Sequence, residues 1–159
     1  MKRIIPAILF FLSWSVNAAD CFDSAGKDSG IDPDLLRAIA FRESAFRHDV
    51  VNRQSSEQYA VGLMQIHSQN FRELSKFGIN PDNLLKDPCL NIYTGTYYLT
   101  KFIALEKNTW RGVGAYNAGR KKSAEQEKKR LRYSREVYNI YLRIKNQQLK
   151  TVIVIHKNV

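Results

Sequence analysis

The stretch Asp32-Pro33-Asp34-Leu35-Leu36-Arg37-Ala38-Ile39-Ala40-Phe41-Arg42-Glu43-Ser44 opens with an N-cap aspartate and a proline at the first helical position. Leu35, Leu36, Ile39 and Ala40 follow at helical spacing, which predicts a helix to about Phe46. At about 100° per residue, Glu43 projects within roughly 20° of Leu36, 40° of Ile39 and 60° of Ala40. Its carboxyl group therefore points with the apolar stripe rather than with Arg37 or Arg42. Apolar surroundings penalise the ionised form, so such a group stays protonated closer to neutral pH, as a general acid must. The bland alternative is a glutamate at a fraying helix end that turns back to water or pairs with Arg42 or Arg47.

Outward from this helix the start signal recurs at Asn80-Pro81 and at Asp87-Pro88, the second opening a helix to about Leu105. A short helix over residues 109 to 118 is stopped by Gly119. A long basic helix follows from Ser123 to about Gln148, with Leu131, Val137, Ile140, Tyr141 and Ile144 as its apolar side. Between Asp49 and Ala60 the sequence turns polar and loses helical period, which predicts a loop or small hairpin lobe. The expectation is a mainly α domain over residues 19 to 148 with one small non-helical lobe. In the tail, residues 149 to 159, the run Thr151 to Ile155 is β-prone and reads as a frayed end or an added edge strand.

Residues 1 to 18 read as a secretory signal peptide: Lys2 and Arg3 are basic, residues 4 to 16 apolar, and Val16-Asn17-Ala18 a small-residue cleavage site. The apolar run is shorter than the roughly 20 residues a membrane helix requires, so stable membrane insertion is not expected. Asp20 before Cys21 argues against lipidation of that cysteine. Export places the chain in the periplasm, where Cys21 and Cys89 can pair. Such a bridge closes a loop of about 68 residues and limits the unfolded ensemble by a few kcal/mol. Two free buried thiols are the alternative. His48, His67 and His156 have no metal-ligand spacing, so neither metal nor cofactor is expected. Without Lys2 and Arg3 the formal charge of +10 falls to +8, and residues 120 to 150 carry eleven Lys or Arg against three Glu. Charge alone does not choose among nucleic acid, an anionic surface and the carboxylates of a cell wall, but an exported protein rarely meets nucleic acid.

Four short motifs add chemistry: Glu43-Ser44, Gly62-Leu63-Met64-Gln65-Ile66, Asn91-Ile92 with Gly95, Tyr98 and Leu99, and Ala115-Tyr116-Asn117-Ala118-Gly119. In order and spacing they resemble the soluble lytic transglycosylase family of lysozyme-like enzymes, from about Cys21 to Lys145. The short exported form, with its cysteine pair and basic end, looks like the specialised members that accompany type III or type IV secretion, conjugation and pilus systems. The resemblance implies an α+β lysozyme-like fold with a central glycan-binding cleft and Glu43 as catalytic acid and base. It further implies Ser44 supporting the helix end, and Ser44, Met64, Gln65, Tyr116 and Asn117 as the substrate-binding set, with Tyr133 added from the last helix as a cleft-lining tyrosine. Core packing is the competing reading for Met64, Gln65 and Asn117.

Some secretion-associated relatives carry an aspartate two residues before the motif glycine; here that position is Ala60, and the nearest acid, Glu57, lies in the polar stretch. Glycosidases commonly employ two carboxylates, whereas the resemblance implies that one suffices here. The expected reaction cuts the bond between N-acetylmuramic acid and N-acetylglucosamine and leaves 1,6-anhydro ends on peptidoglycan glycan strands. The rivals are a hydrolytic muramidase of the same fold and a non-catalytic wall-binding assembly factor.

Overall fold

The computed structural model describes residues 18–157, so the signal-peptide reading lies almost entirely outside the described residues. Seven helices and a three-stranded antiparallel sheet make up this part: α1 Ala18–Ser29, α2 Pro33–Ser44, β1 Val51–Arg53, β2 Tyr59–Val61, β3 Ile66–His67, α3 Phe71–Leu74, α4 Pro81–Lys86, α5 Pro88–Glu106, α6 Thr109–Ala118 and α7 Ala124–Lys157. The mainly helical expectation with one small lobe agrees with this architecture.

The local start signals act as their chemistry requires. The Asp32 carboxylate accepts from the Asp34 amide at 2.9 Å, and the Asp87 carboxylate accepts from the Leu90 amide at 3.0 Å. Asn80 and Asn83 cap α4 reciprocally, each side chain accepting from the other's amide. α2 stops at Ser44, two residues before the expected end, because Ala45 (φ 51°) and Phe46 (φ 63°) enter the left-handed region. The Ala45 amide still closes back on the Phe41 carbonyl at 2.9 Å.

Residues 51 to 67 form the lobe. Val51 pairs with Val61 and Arg53 with Tyr59, and β3 adds to the far side of β2 through Ala60 with His67 and Val61 with Ile66. The second motif therefore supplies the turn between β2 and β3 as well as the first residue of β3.

α5 runs through the centre against α1 and α6, and α7 closes over α2 and α6. Leu36, Ile39, Met64, Ile92, Leu99, Val113, Val137 and Tyr133 form the interior of the core. Cys21 and Cys89 are disulfide-bonded, fastening α1 to the first turn of α5. Two expectations for α7 are corrected. Leu131 is 57% exposed, and the buried side is instead carried by Tyr133 and Val137 with Ile140, Tyr141 and Ile144 behind them. Residues 151 to 155 are not an edge strand but continue α7. Once a helix is nucleated each further residue adds a hydrogen bond, and the helix penalty of Val and Ile is only a few tenths of a kcal/mol per residue. Among the described residues no helix is long and apolar enough to cross a membrane.

Candidate active site

Between the lobe and the helices lies a cavity of about 230 Å³ with Glu43 on its wall, faced by Asn52, Ala60, Gln65, His67, Tyr98 and Asn117. Glu43 is the only carboxylate among the described residues that line it. Leu36, Ile39 and Ala40 behind it on α2 are fully buried, so the helix that supplies the acid is anchored by the stripe its angular position follows. Neither nearby arginine pairs with it: Arg42 binds Glu136, and the Arg47 guanidinium donates to the Ser44 carbonyl at 3.1 Å. The partner of Glu43 is Tyr133, whose phenolic hydroxyl donates to Oε1.

Burial pushes the Glu43 carboxyl above its ordinary range, while the Tyr133 hydrogen bond and the Arg42 charge act in the opposite direction. The environment thus favours the protonated form without leaving the carboxylate unsupported after it gives up its proton. Tyr133 and Tyr116 are themselves held well above the usual phenol range by burial and by the Glu43 charge, so both remain hydrogen-bond donors.

The other residues expected from sequence fall into distinct places. Asn117 is exposed at the end of α6 and faces the cavity, its amide without a protein partner among the described residues. Gln65 also faces the cavity, yet its amide is bound within the lobe. Its Nε2 donates to the Gly62 carbonyl at 2.9 Å and its Oε1 accepts from Asn52 at 2.8 Å, with the backbone at φ 50°. The half-buried Tyr116 lines the cavity and donates its hydroxyl to the Met64 carbonyl at 2.7 Å.

Three members of the expected substrate-contact set are buried in the structure. Ser44 is buried, with its hydroxyl donating to the Leu63 carbonyl at 2.9 Å, so it joins the end of α2 to the lobe and does not reach the cleft. Met64 is fully buried against Gly95, where a Cβ would come within 2.7 Å of its sulfur. Tyr133 is 2% exposed and meets the cavity wall only through its hydrogen bond to Glu43. Glu57 is exposed in the lobe and does not line the cavity.

Sequence reading missed most of the polar lobe wall, Asn52, Gln54 and His67 with Gln69 and Asn70. The polar composition of residues 49 to 60 carried part of that signal; the direction in which those side chains point did not follow from it. Also missed was the work of Asn91, a fully buried amide. Its Oδ1 accepts from the Met64 amide at 2.8 Å, and its Nδ2 donates to the Val61 and Leu84 carbonyls, both at 3.1 Å. Asn91 thereby fixes the turn that carries Gln65.

Comparison with known proteins places this geometry. The family model described as Transglycosylase SLT domain matches residues 20–139. An "X polypeptide" of Escherichia coli is 50% identical over 151 residues, covering 93% of this chain and 88% of that protein. "Protein IpgF" of Shigella flexneri is 35% identical over 144 residues, covering 91% of this chain and 93% of its own. "Invasion protein IagB" of Salmonella typhimurium is 34% identical over 145 residues, covering 91% and 89%. An inactive mutant of the lytic transglycosylase Slt from Pseudomonas aeruginosa matches in fold with a TM-score of 0.63 at 24% identity. That match takes in 82% of this chain and 24% of the solved one, so the chain spans about a quarter of that protein's length. With the family model matched from α1 into α7 and Glu43 seated in the cleft between helices and lobe, the chain belongs to the transglycosylase SLT domain family and is a peptidoglycan lytic transglycosylase.

Proposed function

We propose that the enzyme cleaves the β-1,4 bond between N-acetylmuramic acid and N-acetylglucosamine and leaves 1,6-anhydromuramoyl ends, with Glu43 acting as acid and then as base. The observation that carries this reading is a cleft lined, among the described residues, by a single carboxylate, with Ala60 on the facing strand. Protonated Glu43 gives its proton to the glycosidic oxygen as the bond to C1 breaks, and the substrate's acetamido group shields the positive charge. The Glu43 carboxylate then takes the proton of the muramoyl 6-hydroxyl as that oxygen bonds to C1, which returns the side chain to its starting state. No water is consumed. The hydroxyl is already held beside C1 at high effective concentration, and no second carboxylate among the described residues lines the cleft to activate water against it.

In this reading Asn117, Tyr116 and the lobe residues around Gln65 contact the glycan, while Ser44, Met64 and Tyr133 hold the site's frame. Residues 1 to 18 direct export to the periplasm, and the domain of residues 19 to 148 acts on the wall there. The Salmonella relative is named an invasion protein, and the motif resemblance to specialised family members supports a role beside a secretion, conjugation or pilus apparatus. The test is to incubate the mature protein with purified sacculi and identify the released muropeptides by mass spectrometry. Products one water lighter than the reducing muropeptides are expected. Mainly reducing ends would transfer the reading to a muramidase, and no release would favour a wall-binding factor.

A further inference from the structure

Arg42 precedes Glu43 on α2 but does not line the cavity. Its Nε donates to Oε2 of Glu136 on α7 at 2.6 Å, and its guanidinium carbon stands 5.6 Å from the centre of the Tyr133 ring. Arg132 approaches the other oxygen of Glu136 at 4.0 Å. The ring under the Arg42 cation is the one whose hydroxyl donates to Glu43. Arg42 thus has two competing places: on the ring face, tied to Glu136, or beside the carboxylate that follows it in sequence. In the second place it would favour the ionised acid and disable it as a proton donor.

We propose that Glu136 and Arg42 are positioning residues for Glu43. Glu136 retains Arg42 on the Tyr133 ring, so the cation steadies the ring without becoming the salt-bridge partner of the acid. This rests on the assignment of Glu43 as the acid. The pair is placed for such a role because ring, cation and carboxylate join α2 to α7 where the acid is held, with both charged side chains open to solvent at 40% and 39%. Cation–ring contact adds a modest attraction that grows as water is excluded. The other titratable groups around Glu43 are Tyr133 from α7, Tyr116 from α6, and Tyr98 from α5 and His67 from the lobe across the cavity. None of these is a cation held in place by a carboxylate.

The charges make opposite predictions for the two residues, which a purely structural role would not. Removing the cation by Arg42→Gln should raise the Glu43 midpoint and move the alkaline limb of the pH–activity profile upward. Removing the anion by Glu136→Gln should lower both, since it takes away a negative neighbour and frees Arg42 to approach Glu43. Each shift should be about half a unit or more, below the full effect of a buried neighbour because the pair is partly solvated. In the double variant the Glu136→Gln decrease should be largely absent, because the cation it would free is gone, so the midpoint should stay near that of Arg42→Gln. The experiment is a carbon-detected NMR titration of the Glu43 carboxyl in the mature wild type, both single variants and the double variant, with sacculus-lysis profiles on the same proteins. Opposite shifts in the single variants, with the double variant following Arg42→Gln, support the proposal, and a double variant in which the two shifts simply add overturns it. Shifts of the same sign, or midpoints unmoved within about a tenth of a unit, overturn it even if lysis slows. Should Arg42→Gln fail to fold, Glu136→Gln decides alone by the sign of its shift. Lysis by Glu43→Gln would instead remove the assignment of the acid, while the carboxyl titration would still decide whether the pair sets its charge.

Discussion

The Tyr133 hydroxyl donates to Oε1 of Glu43 from 90 residues away in sequence, and that bond leaves Oε2 to carry the proton that the proposed reaction needs. The bond opposes burial, which pushes the carboxyl upward, and it limits the directions in which the acid can point. Tyr133→Phe keeps the ring and removes the donor. Glu43 should then titrate higher, and the alkaline limb of sacculus lysis should move up. Lysis at the optimum should fall by roughly 10- to 100-fold, the usual scale for misplacing a catalytic group. Unchanged rate and profile would leave the hydroxyl without a part in the chemistry.

Burial of Glu43 also has a consequence for stability. Because its folded-state titration lies above the ordinary carboxylate range, the group is most favourable to folding below about pH 4, where it is protonated in both states. That contribution is lost as pH rises through the folded midpoint. Glu43→Gln removes the titration and keeps the volume, so the variant should abolish lysis. It should melt at or above the wild type near neutral pH, and the difference should shrink toward acid. Calorimetry across that range checks the sign; a variant less stable at neutral than at acid pH, relative to wild type, would contradict the burial argument.

How much of this was legible follows from where each signal lives. Asp32-Pro33, Asn80-Pro81, Asp87-Pro88 and Gly119 act on the backbone within one turn, so α2, α4, α5 and α6 could be read directly. α1 could not: Asp20, Asp23, Ser24 and Gly26 are weak helix formers, and its definition comes from Phe22 and Ala25 packing into the core and from the bridge to Cys89. The left-handed turns at Ala45, Phe46 and Gln65 are imposed on residues that ordinarily avoid them, so no residue type announced them. At the site, motif residues were legible as a set but their directions were not. Ser44 and Met64 share motifs with cleft residues yet face inward, and Tyr133 on α7 is buried behind Glu43, because side-chain direction is decided by the elements packed against them.

The charge of residues 120 to 150 is less free than its count suggests. Glu106 pairs with Arg120, Asp32 and Asp34 with Lys145, and Glu125 with Lys129, at 2.7 to 2.9 Å. Lys121, Lys122 and Lys128 are exposed and have no ion pair among the described residues. Replacing these three with Gln should weaken binding to sacculi most at low ionic strength, because salt already screens exposed charges beyond about 8 Å under physiological conditions. Co-sedimentation over a salt series reads the effect. Parallel wild-type and variant curves would mark these lysines as a solvated face.

The turn that carries Gln65 offers the sharpest separation between a general backbone cost and a specific one. Gly62 and Gly78 have similar left-handed backbones, φ 78° and 72°. At Gly78 a Cβ would meet nothing within 4 Å, so Gly78→Ala should cost only the conformational penalty of about 1–2 kcal/mol. At Gly62 the same Cβ would fall on the Asn91 side-chain amide and lie 3.1 Å from the Leu84 carbonyl. Asn91 cannot move aside without breaking its bonds to Met64, Val61 and Leu84, all of them buried. An unmade buried hydrogen bond costs about 1–3 kcal/mol, so Gly62→Ala should exceed Gly78→Ala by at least that much in denaturant unfolding. The second readout is activity: displacing Asn91 releases the turn between β2 and β3 and with it Gln65 on the cleft wall. Gly62→Ala should therefore lose lysis even where it remains folded, while Gly78→Ala should keep it. Equal stability losses in the two variants would mean that the Asn91 clamp yields easily, and the placement of Gln65 would have to be assigned to the strand pairing of Val61 with Ile66 instead.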